Sequence, residues 1–194
     1  MRNLLVIFLV FISAGTVMAQ EAPEGLFIRS KAPDFKAKDQ DGNEVRLKDL
    51  LKKGKVVLVF YRGQWCPYCN KALSRLQDSL QLIIDKGATL VAVSPEKSEN
   101  VAVTVEKTKA TYPVLHDEDL KIMKAYDVEY EMQENMVTRY RNGGIDIEKA
   151  NGDNGRFLPV PAVYIIDKES TITYRFFEAD YKKRPSVKEI LDNL

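Results

Sequence analysis

"VVLVFYRGQWCPYCNKAL", residues 56–73, joins an unbroken apolar run to the only two cysteines of the chain. Val56 to Tyr61 has the length and β-branched content of a strand buried on both faces, as found inside parallel sheets. Pro67 suits the first position of a helix, where its missing N–H is not needed. Leu73, Leu76, Leu80, Ile83 and Ile84 then recur at helical spacing until Gly87. Cys66 therefore falls near the N-cap of a helix that leaves a buried strand, with Cys69 one turn inside. Beyond the carboxyl end of a strand is where open α/β sheets place their ligand chemistry.

This position favours reactive sulfur. Free backbone N–H groups and the positive end of the helix stabilise a thiolate at Cys66, and Arg62 adds a cation nearby. A second thiol three residues on can attack a mixed disulfide formed at the first, which closes a catalytic cycle. A structural staple is the weaker reading, because a bridge over so short a loop removes little unfolded-state entropy. A metal clip needs about four ligands, and the chain has no other cysteine and a single histidine, His116. His116 itself reads as a structural or surface residue. No metal and no cofactor is expected.

Outside the stretch, the N-terminus is the most informative segment. Arg2 precedes the apolar run Leu4 to Ile12, and Val17-Met18-Ala19 stands before Gln20. A positive start, a short apolar region and a small-residue cleavage site predict a signal peptide over residues 1–19. The run is too short for a spanning helix, which needs about 20 apolar residues. The expectation is an exported, periplasmic or extracellular protein with no stable membrane anchor after cleavage. Arg2 is the only charged residue of the leader, so its removal takes the 29 basic residues to 28, against 28 acidic. A formally neutral chain gives no argument for a nucleic acid partner.

The remaining pattern predicts one domain over residues 20–194. "KAPDFKAKDQDGNEVRLKDLL" carries the turn signal Asp41-Gly42 between alternating residues and predicts a hairpin, then a short helix. Thr89 to Ser94 reads as a second buried strand, Glu96 to Lys109 as a helix, and Glu118 to Tyr126 as another. Residues 129–156 are polar and rich in turn signals, and read as a surface insertion. Val160 to Asp167 and Thr171 to Phe177 predict an antiparallel pair. Ser186 and Glu189 have the spacing of a capping box before the last helix. This order predicts an α/β fold with a mixed central sheet flanked by helices and an N-terminal β-hairpin extension.

The motifs also resemble a known family. "APDF" (32–35), "VVLVFYRG" (56–63), "LVAVSPE" (90–96), "YPVLHDEDLKIMKAYDV" (112–128) and "VYIIDKES" (163–170) are similar, in order and spacing, to the AhpC/TSA (peroxiredoxin-like) family of thioredoxin-fold proteins. The resemblance implies a thioredoxin-like fold. The peroxidase pattern of that family, laid on this chain, puts the peroxide-attacking sulfur at Cys69 and Cys66 in the Thr/Ser slot. Arg62 then falls in the proline slot, and Pro161 in the arginine slot. Trp65-Cys66-Pro67-Tyr68-Cys69 resembles instead the W-C-x-x-C site of thioredoxins and glutaredoxins. By the same resemblance Val160-Pro161 is expected to form a cis-proline loop facing the disulfide. Asp180 to Arg184 is similar to a "DY..R" element of a CxxC-containing subgroup, for which no role follows from the sequence.

Two enzymatic functions are therefore expected in order. The first is dithiol–disulfide oxidoreduction with Cys66 and Cys69 as catalytic sulfurs. Arg62, Trp65, Pro67, Tyr68, Val160 and Pro161 would support the substrate groove. The second is a thiol-dependent peroxidase that reduces hydroperoxides through Cys69. Either way the partners are a thiol, disulfide or hydroperoxide substrate and an external thiol electron donor. A non-enzymatic redox sensor or binding module, with residues 129–156 as its contact surface, is the third reading.

Overall fold

The structure, a computed structural model, describes residues 22–194; the expected leader lies outside them. In chain order the elements are β1 (Lys36–Lys38), β2 (Glu44–Arg46), α1 (Leu47–Leu51), β3 (Lys55–Phe60), α2 (Pro67–Asp78) and α3 (Leu80–Asp85). Then come β4 (Ala88–Ser94), α4 (Ser98–Thr108), β5 (Val114–His116), α5 (Lys121–Ala125), β6 (Glu129–Glu131), α6 (Glu134–Asn142) and α7 (Ile147–Asn151). The chain closes with β7 (Phe157–Pro159), β8 (Ala162–Ile166), β9 (Ile172–Phe177) and α8 (Val187–Asp192).

The apolar run of the opening stretch is β3, near the middle of a seven-stranded sheet of order β2-β1-β5-β4-β3-β8-β9. It pairs in parallel with β4, Val56 opposite Thr89, and antiparallel with β8, Val56 opposite Ile166. Its side chains alternate between two cores, as the strand period requires. Val56, Leu58 and Phe60 pack with Leu47, Leu115, Tyr126 and Tyr164 on one face. Val57, Val59 and Tyr61 pack with Leu73, Leu76, Ile83 and Leu90 on the other. Both faces are covered, which is why the run carries no polar alternation. Each such side chain, fully buried, contributes about 1.5–3 kcal/mol.

The predicted hairpin is β1–β2. The Asp39 carboxylate accepts from the N–H groups of Asp41 and Asn43 at 3.0 and 2.8 Å, and Gly42 takes the positive φ of +79° that the turn needs. The last helix is also capped as expected, with Ser186 Oγ accepting from Glu189 N–H at 3.0 Å. The Glu189 carboxylate does not reach back to close a box; it accepts from Tyr174 O–H at 2.8 Å instead.

Three expectations need correction. The helix predicted from Pro67 to Gly87 is two helices, because Ser79 leaves helical geometry at φ −109°, ψ 10°. The break shifts the apolar face, so Ile83 is buried while Ile84 faces solvent. The bond between Val160 and Pro161 is trans, as are all peptide bonds among the described residues. Pro161 sits between β7 and β8 on an extended path. Val160 N–H donates to Val128 C=O at 2.7 Å and Pro161 C=O accepts from Glu178 N–H at 3.2 Å, so the chain makes no reversal there that a cis bond would serve. Finally, the segment read as a polar excursion builds a core of its own. β6 pairs with β7, and Met132, Val137, Ile147 and Leu158 close into a third cluster against Trp65 and Tyr140. Asn154 ties the segment to the main body by donating to the carbonyls of Pro95 and Asp117 at 2.7 and 2.8 Å.

Ile147 is fully buried in that cluster. Ile147→Ala is expected to cost about 2–5 kcal/mol of stability in urea unfolding. A loss below about 0.5 kcal/mol, the level of an ordinary surface change, would show that the cluster is not part of the cooperative fold.

Candidate active site

β3 and α2 deliver the two sulfurs. After β3, Tyr61 N–H still bonds Val93 C=O at 3.0 Å, and a turn closes where Cys66 N–H donates to Gly63 C=O, also at 3.0 Å. Cys66 is the N-cap of α2 with extended geometry, Pro67 occupies the first helical turn, and no acidic residue stands in that turn. Cys66 Sγ accepts from Cys69 N–H at 3.3 Å. The two sulfurs are joined as a disulfide with Cα atoms 5.3 Å apart, and both residues are buried.

Two arginines flank the disulfide. Arg184 Nη2 lies 3.2 Å from Cys69 Sγ, while its Nη1 donates to the carbonyls of Tyr181 and Lys183 at 2.7 and 2.6 Å. Arg62 is 2% exposed. Its guanidinium stands over the rings of Tyr181, Trp65 and Tyr140 at 4.4, 4.9 and 5.4 Å and donates to Tyr140 O–H at 2.7 Å. Burial, and the nearby charge of Arg62, pull the Arg184 pKa down to about 10. Among the described residues, neither arginine has a carboxylate within salt-bridge distance. A cation left in low dielectric without a counter-charge favours any negative charge placed beside it. A thiolate at Cys69 is such a charge once the disulfide is reduced.

Behind the loop lies Glu96, fully buried. Its Oε2 accepts from Gln64 N–H at 2.7 Å, and its Oε1 has no partner. Burial pushes its carboxyl up to about 8, against the opposing effects of the Gln64 bond and of Lys107. Gly63 must be glycine here. A Cβ would stand 2.5 Å from Trp65 Nε1 and 2.7 Å from Glu96 Oε1, at a φ of +153°.

In front of Cys66 is a cavity of about 480 Å³, walled by Arg62, Trp65, Tyr68, Tyr140 and Tyr181. Tyr68 and Tyr181 meet edge to face at 5.8 Å, as do Trp65 and Tyr140 at 5.6 Å. Of the residues singled out in the sequence, Arg62, Trp65, Cys66, Pro67 and Tyr68 gather at this cavity. Val160 does not; it lines a different cavity, beside Glu129 and Phe177. Sequence reasoning missed Arg184, Tyr140 and Glu96. Arg184 and Tyr181 belong to the "DY..R" element, whose motif was visible but whose target was not. Tyr140 lay in a segment without chemical signal. Among the described residues no group of His, Cys, Asp and Glu side chains is arranged to hold a metal ion.

A model of the AhpC/TSA family matches residues 28–175. The chain belongs to the AhpC/TSA family. A Mycobacterium tuberculosis protein named for the peroxiredoxins is 33% identical over 103 residues, 53% of this chain and 65% of that protein. The thiol-disulfide oxidoreductase ResA of Bacillus cereus is 32% identical over 107 residues, 54% of this chain and 60% of ResA. The chain thus spans less than two thirds of the length of either relative. The crystal structure of peroxidoxin BcpB from M. tuberculosis superposes with a TM-score of 0.66 at 21% identity, covering 86% of this chain and 94% of that one. At that identity the likeness concerns the fold alone. This AhpC/TSA chain thus resembles, within one family scaffold, proteins named for both of the chemistries expected from its sequence.

Glu96 gives a pH signature. Its folded pKa stands above the ordinary carboxylate value of about 4.3, so the folded protein keeps a proton that the unfolded chain releases. The stability linked to that proton is complete below the unfolded pKa and is lost as pH rises toward about 8. Asp117, raised by burial to about 6, acts with the same sign lower in the range. The urea midpoint is expected to fall as pH rises, and Glu96→Gln to flatten the fall between pH 6 and 8, the two values above. Parallel slopes for the variant and the parent protein would contradict this assignment.

Proposed function

We propose that this protein is a dithiol–disulfide oxidoreductase that works through Cys66 and Cys69 after export. The observation that carries the reading is the asymmetry of the two sulfurs. Cys66 forms part of the wall of the aromatic cavity, while Cys69 lies behind it with the Arg184 guanidinium on its sulfur. A substrate disulfide in the cavity meets Cys66 first. The Cys66 thiolate attacks one substrate sulfur, forming a mixed disulfide and releasing the other half as a thiolate. The Cys69 thiolate, held ionised by Arg184, then attacks Cys66 Sγ and releases the second half. Two electrons have passed from the dithiol to the substrate, two thiolates leave to take protons from water, and the Cys66–Cys69 disulfide remains. An external dithiol reverses these steps. ResA is a relative named for this chemistry.

Export rests on the signal-peptide pattern of residues 1–19, and no helix among the described residues is long and apolar enough to cross a membrane. We take residues 20–194 as one thioredoxin-like domain, with 129–156 an insertion that supplies the Tyr140 wall. Val160 and Pro161 keep a supporting role only as the path between β7 and β8.

Arg184 also favours a second reading, thiol-dependent peroxide reduction. The family arginine slot holds Pro161, yet a guanidinium still reaches Cys69, from the C-terminal tail. In this chemistry the Cys69 thiolate attacks the peroxide O–O bond, becoming a sulfenic acid and releasing an alkoxide or hydroxide. Cys66 then condenses with the sulfenic acid, forming the disulfide and water.

Single-cysteine variants separate the two. With Cys69→Ser, the exchange reading expects a mixed disulfide to be trapped on Cys66 and multiple turnover to fall by at least about 100-fold. Hydroperoxide consumption is expected to be minor in the parent protein assayed in parallel. Peroxide turnover that survives Cys66→Ser and dies with Cys69→Ser would replace the first reading by the second.

A further inference from the structure

The cavity in front of Cys66 is cationic as well as aromatic. Arg62 stands in its wall and Arg139, an exposed residue of α6, on its rim. None of the residues that line it is acidic. Of the carboxylates on the same segments, Glu134 pairs with Arg156, Asp146 and Glu148 with Arg141, and Glu178 with Lys183, while Asp180 accepts from Lys182 N–H. Glu96, behind the loop, is held toward its neutral form by burial. Arg62 is thus a guanidinium almost wholly removed from water, with an Nε that has no hydrogen-bond partner. Ring faces at 4.4–5.4 Å compensate part of that cost. The Tyr140 hydroxyl accepts from Nη2, but among the described residues nothing accepts from Nε, on the edge of the guanidinium where a carboxylate can bind. The volume, about 480 Å³, lies in the range of small-molecule sites.

We infer that this cavity selects a small disulfide that carries a carboxylate on an apolar or aromatic body. The inference rests on the exchange reading above and names its substrate class. The carboxylate pairs with Arg62 and Arg139, the body lies against Trp65, Tyr140 and Tyr181, and the sulfur meets Cys66 in the same wall. The covalent steps are those given for disulfide exchange, with the carboxylate-bearing half departing as its thiolate.

Two measurements on the purified protein test this. The first compares reduction of three small disulfides: the dianionic aromatic disulfide of thionitrobenzoate, uncharged hydroxyethyl disulfide and dicationic cystamine. Each rate is divided by the rate of the same disulfide with dithiothreitol, which removes intrinsic reactivity. The anionic disulfide is expected to exceed cystamine by at least about 10-fold after this correction, and Arg139→Glu to abolish most of that preference. Arg62→Met is expected to abolish that preference as well; Arg139 is exposed, so Arg139→Glu tests the proposal even if Arg62→Met does not fold. The second uses Trp65, the only tryptophan of the chain. Its fluorescence is expected to change saturably with benzoate and not with benzylamine, and Arg139→Glu to weaken the benzoate response. Equal corrected rates for all three disulfides, with no benzoate response, would overturn the proposal and leave disulfide exchange standing. Saturable benzoate binding without turnover of any disulfide would support the anion site and overturn the exchange reading instead.

Discussion

The contact between the Arg184 guanidinium and the Cys69 sulfur is the constraint around which the site is organised. It brings the C-terminal tail across the strand–helix junction, onto a sulfur more than a hundred residues away in sequence. A half-buried arginine in that position is costly unless negative charge appears next to it, and Arg62 adds a second cation to the same region. In the proposed chemistry, reduction of the Cys66–Cys69 disulfide to a Cys69 thiolate supplies that charge. The reduced form therefore gains a stabilisation that the disulfide form does not. A thiolate stabilised in this way also leaves more readily from the Cys66–Cys69 disulfide when an external dithiol attacks Cys66.

The fold arranges several elements to make this affordable in free energy. β3, buried on both faces, fixes the end of the strand and therefore the N-terminus of α2. Pro67 and the absence of acidic residues in the first turn leave the positive helix end unopposed. Residues 129–156 fold over the loop and place Tyr140 against both Arg62 and Trp65. Their third core is what holds that wall in place. Glu96 ties the loop from behind through Gln64 N–H without neutralising the arginines in front.

Much of the fold was legible because its signals are local. The alternation around Asp41-Gly42, the β-branched run before Tyr61, proline after Cys66 and Ser186 before α8 all act within a few residues. Their reading survives in the structure. The missed features depend on tertiary context. Ser79 breaks α2 from α3 without glycine or proline, so nothing in the spacing of Leu80, Ile83 and Ile84 announces the shift of face. Pro161 reads the same in cis or trans, and only the path from β7 to β8 decides. The sequence placed the two sulfurs, Trp65 and Arg62 together because they share one stretch. It could not place Arg184 or Tyr140, which reach the same point from other parts of the chain. Arg184 also changes the balance of the family comparison, since the slot emptied by Pro161 does not leave Cys69 without a guanidinium.

The central claim is that Arg184 holds Cys69 as a thiolate. Its most direct test is the pH titration of Cys69 thiolate absorbance in a Cys66→Ser background, with Arg184 present, as Arg184→Met, and as Arg184→Lys. An opposite charge this close lowers a thiol pKa by about 1–3 units. The account predicts a rise of that size in Arg184→Met and a substantial recovery in Arg184→Lys, which restores the charge. The same Cys69 pKa in all three proteins would contradict it.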